Sequence, residues 1–168
     1  MSEIILYIGG ARSGKSRLAE ARTLQFAQPA SYIATAQAWD EEMKARIAAH
    51  QEQRAGSAWR TYAEPRDLVG ALSATDGSPR LVDCLTLWLT NIMLAEHDWQ
   101  AEARALIDAL AAQSAPVVLV SNEVGMGIVP DNRLARDFRD ASGRLNQWVA
   151  NAADEVHFVA AGLSMRMK

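Results

Sequence analysis

Several things are scarce in this chain of 168 residues, and each scarcity excludes something. There is one cysteine, Cys84, so no internal disulfide can form. Its place in an apolar run reads as a reduced core residue and fits a cytoplasmic protein. No Cys/His set has zinc spacing. No stretch of about 18 apolar residues occurs, so no membrane span is expected. The first ten residues, Met1 to Gly10, lack a basic segment followed by a long apolar one and are not read as a signal peptide. The formal net charge is -3, which argues against a nucleic-acid-binding surface. An Asn-Lys-x-Asp guanine-recognition motif is missing as well. No internal repeat, low-complexity tract or linker divides the chain, and the length fits a single domain over residues 1–168.

Apolar residues make up 49% of the chain, enough for a core. Ile4 to Ile8 is a continuous apolar run with β-branched residues, as expected for a parallel strand buried on both faces. Ser16 to Ala27 has helical composition and stops before Pro29. Ser31 to Ala36 reads as a second strand. Ala38 to about Arg54 reads as a helix with acidic residues near its start. Trp59 to Tyr62 and Leu81 to Leu85 are further strands. Short helices are expected over Arg66 to Ser73 and Thr86 to Ala95, and a longer one over Trp99 to Gln113. Val117 to Ser121 is a strand, Asn132 to Ala152 a long helix, and Glu155 to Ala160 the last strand. Strands alternate with helices throughout, which predicts an α/β fold with a mostly parallel sheet covered on both faces.

The strongest local pattern is Gly9-Gly10-Ala11-Arg12-Ser13-Gly14-Lys15-Ser16. It matches the Walker A loop, between a strand and a helix as that motif requires. Glycines let backbone N–H groups turn inward toward phosphate oxygens, and the helix adds its positive end. Lys15 suits the β- and γ-phosphates and Ser16 suits Mg²⁺. Asp83 closes the strand Leu81-Val82-Asp83, where a carboxylate for Mg²⁺ or nucleotide would stand. The competing reading makes it the N-cap of the helix that follows. Further on, Met43, Ile47, His50 and Arg54 share one helical face. His97, in a polar connection, is read as solvated, and His157, inside the last strand, as structural. The five tryptophans are read as core or subunit contacts.

Beyond these patterns, the chain resembles the bifunctional adenosylcobinamide kinase / adenosylcobinamide-phosphate guanylyltransferase family over nearly its whole length. The resemblance is carried by the phosphate loop, Tyr32-Ile33-Ala34-Thr35-Ala36, Arg46-Ile47-x-x-His50, Val82-Asp83-Cys84-Leu85-Thr86, and Phe138-Arg139-Asp140-x-x-Gly143-Arg144. Its most specific part is Asn122-Glu123-Val124-Gly125-Met126-Gly127-Ile128-Val129-Pro130. It implies a RecA-like P-loop fold, a homotrimer, and ATP, GTP, adenosylcobinamide and its phosphate as substrates. It implies phosphorylation of the aminopropanol hydroxyl of adenosylcobinamide, then GMP transfer from GTP to that phosphate. His50 matches the histidine that carries GMP. Ala34, Thr35, Ala36, Gln51, Glu52, Gln53, Arg54, Glu64 and Asp83 match nucleotide-contact positions. Two departures, a short 95–99 region and Ser164, lie away from the phosphate chemistry. Rival readings, a plain small-molecule kinase or a nucleotide-dependent switch, leave the 122–130 run unexplained.

Overall fold

A computed structural model describes residues 2–38, 41–53, 56 and 58–168, without the side chains of residues 46, 50, 51 and 53. The elements are β1 (Ile4–Gly9), α1 (Lys15–Phe26), β2 (Ala30–Ala34), α2 (Glu41–Gln53), β3 (Trp59–Ala63), α3 (Leu68–Ala74) and β4 (Arg80–Asp83). They continue with α4 (Leu85–Leu94), α5 (Trp99–Ala111), β5 (Val117–Asn122), α6 (Arg133–Ala152), β6 (Glu155–Ala160) and β7 (Leu163–Arg166). One seven-stranded sheet runs in the order β3-β2-β4-β5-β1-β6-β7. Every neighbouring pair is parallel except β6 with β7.

Alternation along the strands sorts the core into two layers. Ile4, Leu6, Val82, Val117 and Leu119 face one side, where α3, α4, α5 and α6 cover them. Ile5, Tyr7, Leu81, Val118 and Val120 face the other, against Leu18, Ala19 and Phe26 of α1. Runs apolar at consecutive positions are what a doubly covered strand requires, and each fully buried large aliphatic side chain contributes about 1.5–3 kcal/mol. Local caps set the helix starts. Asp67 Oδ1 accepts from the Gly70 amide, Asp98 Oδ1 from Gln100 and Ala101, and Asn132 Oδ1 from Ala135. Such caps supply acceptors for amides that have no partner inside the helix.

Two strand ends and one additional strand depart from expectation. The strand expected to run to Leu85 ends at Asp83, because Cys84 turns out of the sheet and caps α4, its Sγ accepting from the Leu87 amide at 3.5 Å. Asp83 is therefore not the helix cap. The second strand ends at Ala34, so Thr35 and Ala36 lie just beyond it. The antiparallel strand β7 was not expected. Its four residues are all exposed, so the sequence offers no apolar period, and pairing with β6 alone orders it. Among the described residues no helix is long and apolar enough to cross a membrane.

Candidate active site

The sheet delivers its candidate residues to one edge. In a parallel sheet all carboxyl ends lie on the same side, and here β1, β2, β4 and β5 end there in Gly9, Ala34, Asp83 and Asn122. That edge is where ligands of open α/β sheets bind.

The phosphate loop leaves β1 at Gly9. A Cβ at Gly9 would collide with the Val159 carbonyl and stand 2.9 Å from Ser13 Oγ, so the first loop residue has to be glycine. Gly14, the N-cap of α1, has φ +94°, a left-handed conformation that glycine adopts without strain. The loop is held at its base, with the Ser13 amide donating to the Gly10 carbonyl (3.3 Å) and the Gly162 amide to the Ser13 carbonyl (2.7 Å). Lys15 is buried beneath it and its Nζ donates to the Gly10 carbonyl at 3.0 Å. Ser16 is half-buried, while Ala11 and Arg12 are exposed.

Burial pushes the Lys15 ammonium below the ordinary lysine range, and Cys84 and Asp83 oppose that shift. Cys84 is itself pushed up to about 11, chiefly by burial and then by the Asp83 charge. It is therefore a neutral thiol near pH 7, and Asp83 supplies the negative charge that offsets the burial of Lys15. Asp83 is positioned in turn by Tyr32, whose hydroxyl donates to Oδ2 at 2.7 Å across the β2–β4 pair.

Thr35 is fully buried and its groups are used within the fold. Its hydroxyl donates to the Cys84 carbonyl (2.7 Å) and accepts from the Cys84 amide (2.8 Å). Its amide donates to the Asp83 carbonyl (3.2 Å) and its carbonyl accepts from Asn91 Nδ2 (2.8 Å). Thr35 thus stitches the ends of β2 and β4 together, and Ala34 and Ala36 flank it half-buried. Glu64 sits beside them, its amide donating to the Ala34 carbonyl at 2.9 Å. Its Oε1 accepts from the Arg66 and Asp67 amides, both at 2.9 Å.

His50, Gln51, Glu52 and Gln53 belong to the last turns of α2, which follows β2. Glu52 is exposed. The side chains of His50, Gln51 and Gln53, and all of Arg54, lie outside the described residues. So the structure brings together the phosphate loop, Lys15, Ser16, Ala34, Thr35, Ala36, Glu64 and Asp83 on one edge, and gives His50, Gln51 and Gln53 of α2 by backbone only.

The family model for cobinamide kinase / cobinamide phosphate guanyltransferase matches residues 5–167. The chain belongs to this family. It is 46% identical over 167 residues to the bifunctional adenosylcobalamin biosynthesis protein CobP of Pseudomonas aeruginosa, covering 97% of this chain and 96% of that one. It is 46% identical over 183 residues to the bifunctional adenosylcobalamin biosynthesis protein CobU of Salmonella typhimurium, covering 98% and 99%. The Escherichia coli CobU is 44% identical over a similar span. Among solved structures, an ATPase of a bacterial type III secretion system aligns with 98% of this chain and 56% of its own, at a TM-score of 0.56 and 13% identity. At that identity the likeness concerns the fold alone, which is the RecA-like P-loop fold.

With the family known, two further residues stand out. Tyr32 and Asn91 carry no assigned role in the sequence reading, yet they set the geometry of this edge. Asn91 is buried in α4 and its Nδ2 donates to the carbonyls of both Thr35 and Pro65. A polar side chain inside an otherwise apolar helix is the signal that could have found it.

His97 is exposed, its Nδ1 3.3 Å from Glu102 Oε1. His157 stacks on Tyr7 with ring centroids 4.8 Å apart and pairs with Glu155 and Ser164. Trp88 is fully buried and donates to the Arg66 carbonyl, Trp99 stacks on Trp148, and Trp59 packs edge-on against Tyr32. Trp39 lies outside the described residues.

Proposed function

We propose that the chain phosphorylates the aminopropanol hydroxyl of adenosylcobinamide with ATP or GTP, then transfers GMP from GTP to the new phosphate through an intermediate on His50. The products are adenosylcobinamide-GDP and pyrophosphate. The observation that carries this is the buried Lys15, held under the phosphate loop at the sheet edge that also presents Asp83, in a chain of the cobinamide kinase / guanyltransferase family.

In the kinase step the loop amides and Lys15 hold the phosphates and offset the charge that grows on the leaving oxygen. In the second reaction the neutral imidazole of His50 attacks the α-phosphorus of GTP. A nitrogen–phosphorus bond forms, the bond to the β-phosphate oxygen breaks, and pyrophosphate leaves. An oxygen of cobinamide phosphate then attacks the same phosphorus and frees the imidazole. Gly9 to Ser16, Ala34 to Ala36, Gln51 to Arg54, Glu64 and Asp83 form the nucleotide site in this scheme. Thr35 contributes through the backbone it fixes, since its own polar groups are engaged elsewhere.

Ser16 and Asp83 are the residues that would hold Mg²⁺. Among the described residues no three His, Cys, Asp or Glu side chains form a metal cage. That donor set fits Mg²⁺, which takes one or two protein oxygens and completes its shell with phosphates and water. Bound there, the ion supplies charge neutralisation on the phosphate chain. A cytoplasmic homotrimer completes the proposal, supported by a single buried free cysteine and by apolar side chains on the surface.

GTP labelled at the α-phosphate tests the scheme. The protein should take up a covalent label that survives alkali and is lost in acid, as a phosphoramidate is. His50→Ala should abolish the label and guanylyl transfer while keeping much of the kinase activity. Full labelling of a folded His50→Ala protein, or a label mapped to His97 or His157, would overturn it. A plain kinase would show no label at all.

A further inference from the structure

The run Asn122 to Pro130 is the most specific part of the family resemblance, yet no step above uses it. Sheet order places it next to the chemistry. β5 lies between β1 and β4, so its carboxyl end stands between the phosphate loop and Asp83. The Glu123 amide donates to the Gly9 carbonyl at 2.9 Å, which ties this residue to the first residue of the loop.

From there the segment is pinned at intervals. Thr86 Oγ1 accepts from the Asn122 amide at 2.8 Å, Arg139 Nη2 donates to the Gly125 carbonyl at 2.6 Å, and Arg136 Nη1 donates to the Pro130 carbonyl at 2.9 Å. The Gly125 amide holds Glu123 Oε1. Among the described residues, Oε2 has no hydrogen-bond partner. A cleft of about 360 Å³ opens here, lined by Ala11, Arg12, Glu123, Met126, Phe158 and Ala160 among others. Met126, which lines the cleft, is 78% exposed, and Ile128 (98%) and Val129, which follow it in the chain, are exposed as well. A backbone anchored this firmly while its apolar side chains face solvent is built to meet something.

We infer that this cleft and the 124–130 segment form the acceptor subsite, with the Glu123 carboxylate on the hydroxyl of the cobinamide arm and Met126, Ile128 and Val129 against the corrin ring. The inference rests on the phosphoryl-transfer scheme above. Its occupant follows from reach. The attacking oxygen must come within about 3–3.5 Å of the γ-phosphorus. The aminopropanol arm is short, so the macrocycle must rest on the surface beside the phosphate loop. The cleft is lined by that loop and by Met126, and the exposed Ile128 and Val129 that follow in the chain offer an apolar surface for the ring faces.

The step balances with these residues. The hydroxyl oxygen bonds to the γ-phosphorus, the bond from that phosphorus to the β-bridging oxygen breaks, and nucleoside diphosphate leaves. The hydroxyl proton passes to Glu123 and on to solvent.

Steady-state kinase kinetics with adenosylcobinamide test the assignment. Met126→Ser and Ile128→Ser, both at exposed positions, should each raise KM for adenosylcobinamide about tenfold, with nucleotide KM within twofold of wild type. Glu123→Gln should lower kcat by about 10²-fold or more with both KM values and the melting temperature little changed, and Glu123→Asp should recover part of the loss. The GMP-labelling half-reaction involves no acceptor, so all four variants should label normally. If wild type fails to label, the histidine scheme fails while the acceptor subsite is still judged by the kinase kinetics. Unchanged adenosylcobinamide kinetics in Glu123→Gln and Ile128→Ser would overturn the inference. So would a change in subunit association by Ile128→Ser without a change in KM, which would assign the segment to a contact between copies.

Discussion

Replacing Asp76 by asparagine should cost this protein a large share of its stability and almost none of its catalysis. Arg80, the first residue of β4, is fully buried. Its Nη1 donates to Asp76 Oδ1 at 2.6 Å and its Nη2 to the Ala115 carbonyl at 2.8 Å, while its Nε is buried without a partner. Asp76 also accepts from the Ser114 and Ala115 amides at 2.9 and 3.0 Å, so one carboxylate joins the start of β4 to the approach to β5. The Arg80 hydrogen bond holds the Asp76 carboxyl far below its ordinary 3.8. Arg80 stays protonated, so Asp76→Asn leaves a charged guanidinium in the interior without its counter-charge. Removing one partner of a fully buried pair costs about 3–5 kcal/mol; here Arg80 is fully buried while the Asp76 side chain is 29% exposed. Asparagine keeps a neutral acceptor, which argues for the lower end, about 3 kcal/mol. For a chain of this size that lowers Tm by about 6–12 °C.

The pH dependence has a definite sign. The folded pKa of Asp76 is depressed, so its stabilisation is complete above the unfolded value and fades as pH falls below about 4. The gap between wild type and variant in urea denaturation should therefore narrow from pH 7 toward pH 2. Asp76→Ala combined with Arg80→Met should recover much of the loss, since no buried charge remains. A loss under about 1 kcal/mol at pH 7, or a gap constant down to pH 2, would refute the reasoning. At 25 °C, kcat should stay within twofold, because the pair lies at the start of β4 and Asp83 at its end.

Three other outcomes follow from the same geometry. Lys15→Ala should fold with an undiminished Tm, because it removes a buried ammonium, yet lose kinase activity by about 10²-fold or more; near-wild-type phosphorylation of cobinamide by the folded variant would contradict the phosphate-loop assignment. Cys84, buried with its pKa near 11, should resist iodoacetamide at pH 8 in the native protein and react in urea, as mass spectrometry can show. Sedimentation equilibrium at micromolar concentration should give a trimer, and a monomer mass would count against that assembly.

Much of the site was legible because its chemistry depends on local backbone conformation. Gly9, Gly14, Lys15 and Ser16 sit in one short segment, and their spacing alone dictates a strand, a turn and a helix start. Asp83 was legible for a similar reason, as a carboxylate ending an apolar run. The residues that hold Asp83 in place were not. Tyr32 is 51 positions away, Thr35 joins β2 to β4, and Asn91 spans from α4 to two carbonyls; only the register of β2 on β4 brings them together. Glu123 was quoted within the family resemblance without a role, since its closeness to Gly9 comes from β5 pairing with β1.

The sequence by itself determined the alternation of strands and helices, the strands apolar on both faces, the phosphate loop and the family. These depend on residue type and on contacts within a few positions. Tertiary structure decided the strand order, the exposed β7 and the end of β4 at Asp83. It also decided the burial of Lys15 opposite Asp83 and the tie from Asp76 to the Ser114 and Ala115 amides ahead of β5. Each of these is a contact between distant segments, and its energy comes from burial and pairing that no local pattern records. β7 is the clearest case, because an exposed strand carries no apolar period and takes its place by pairing with β6.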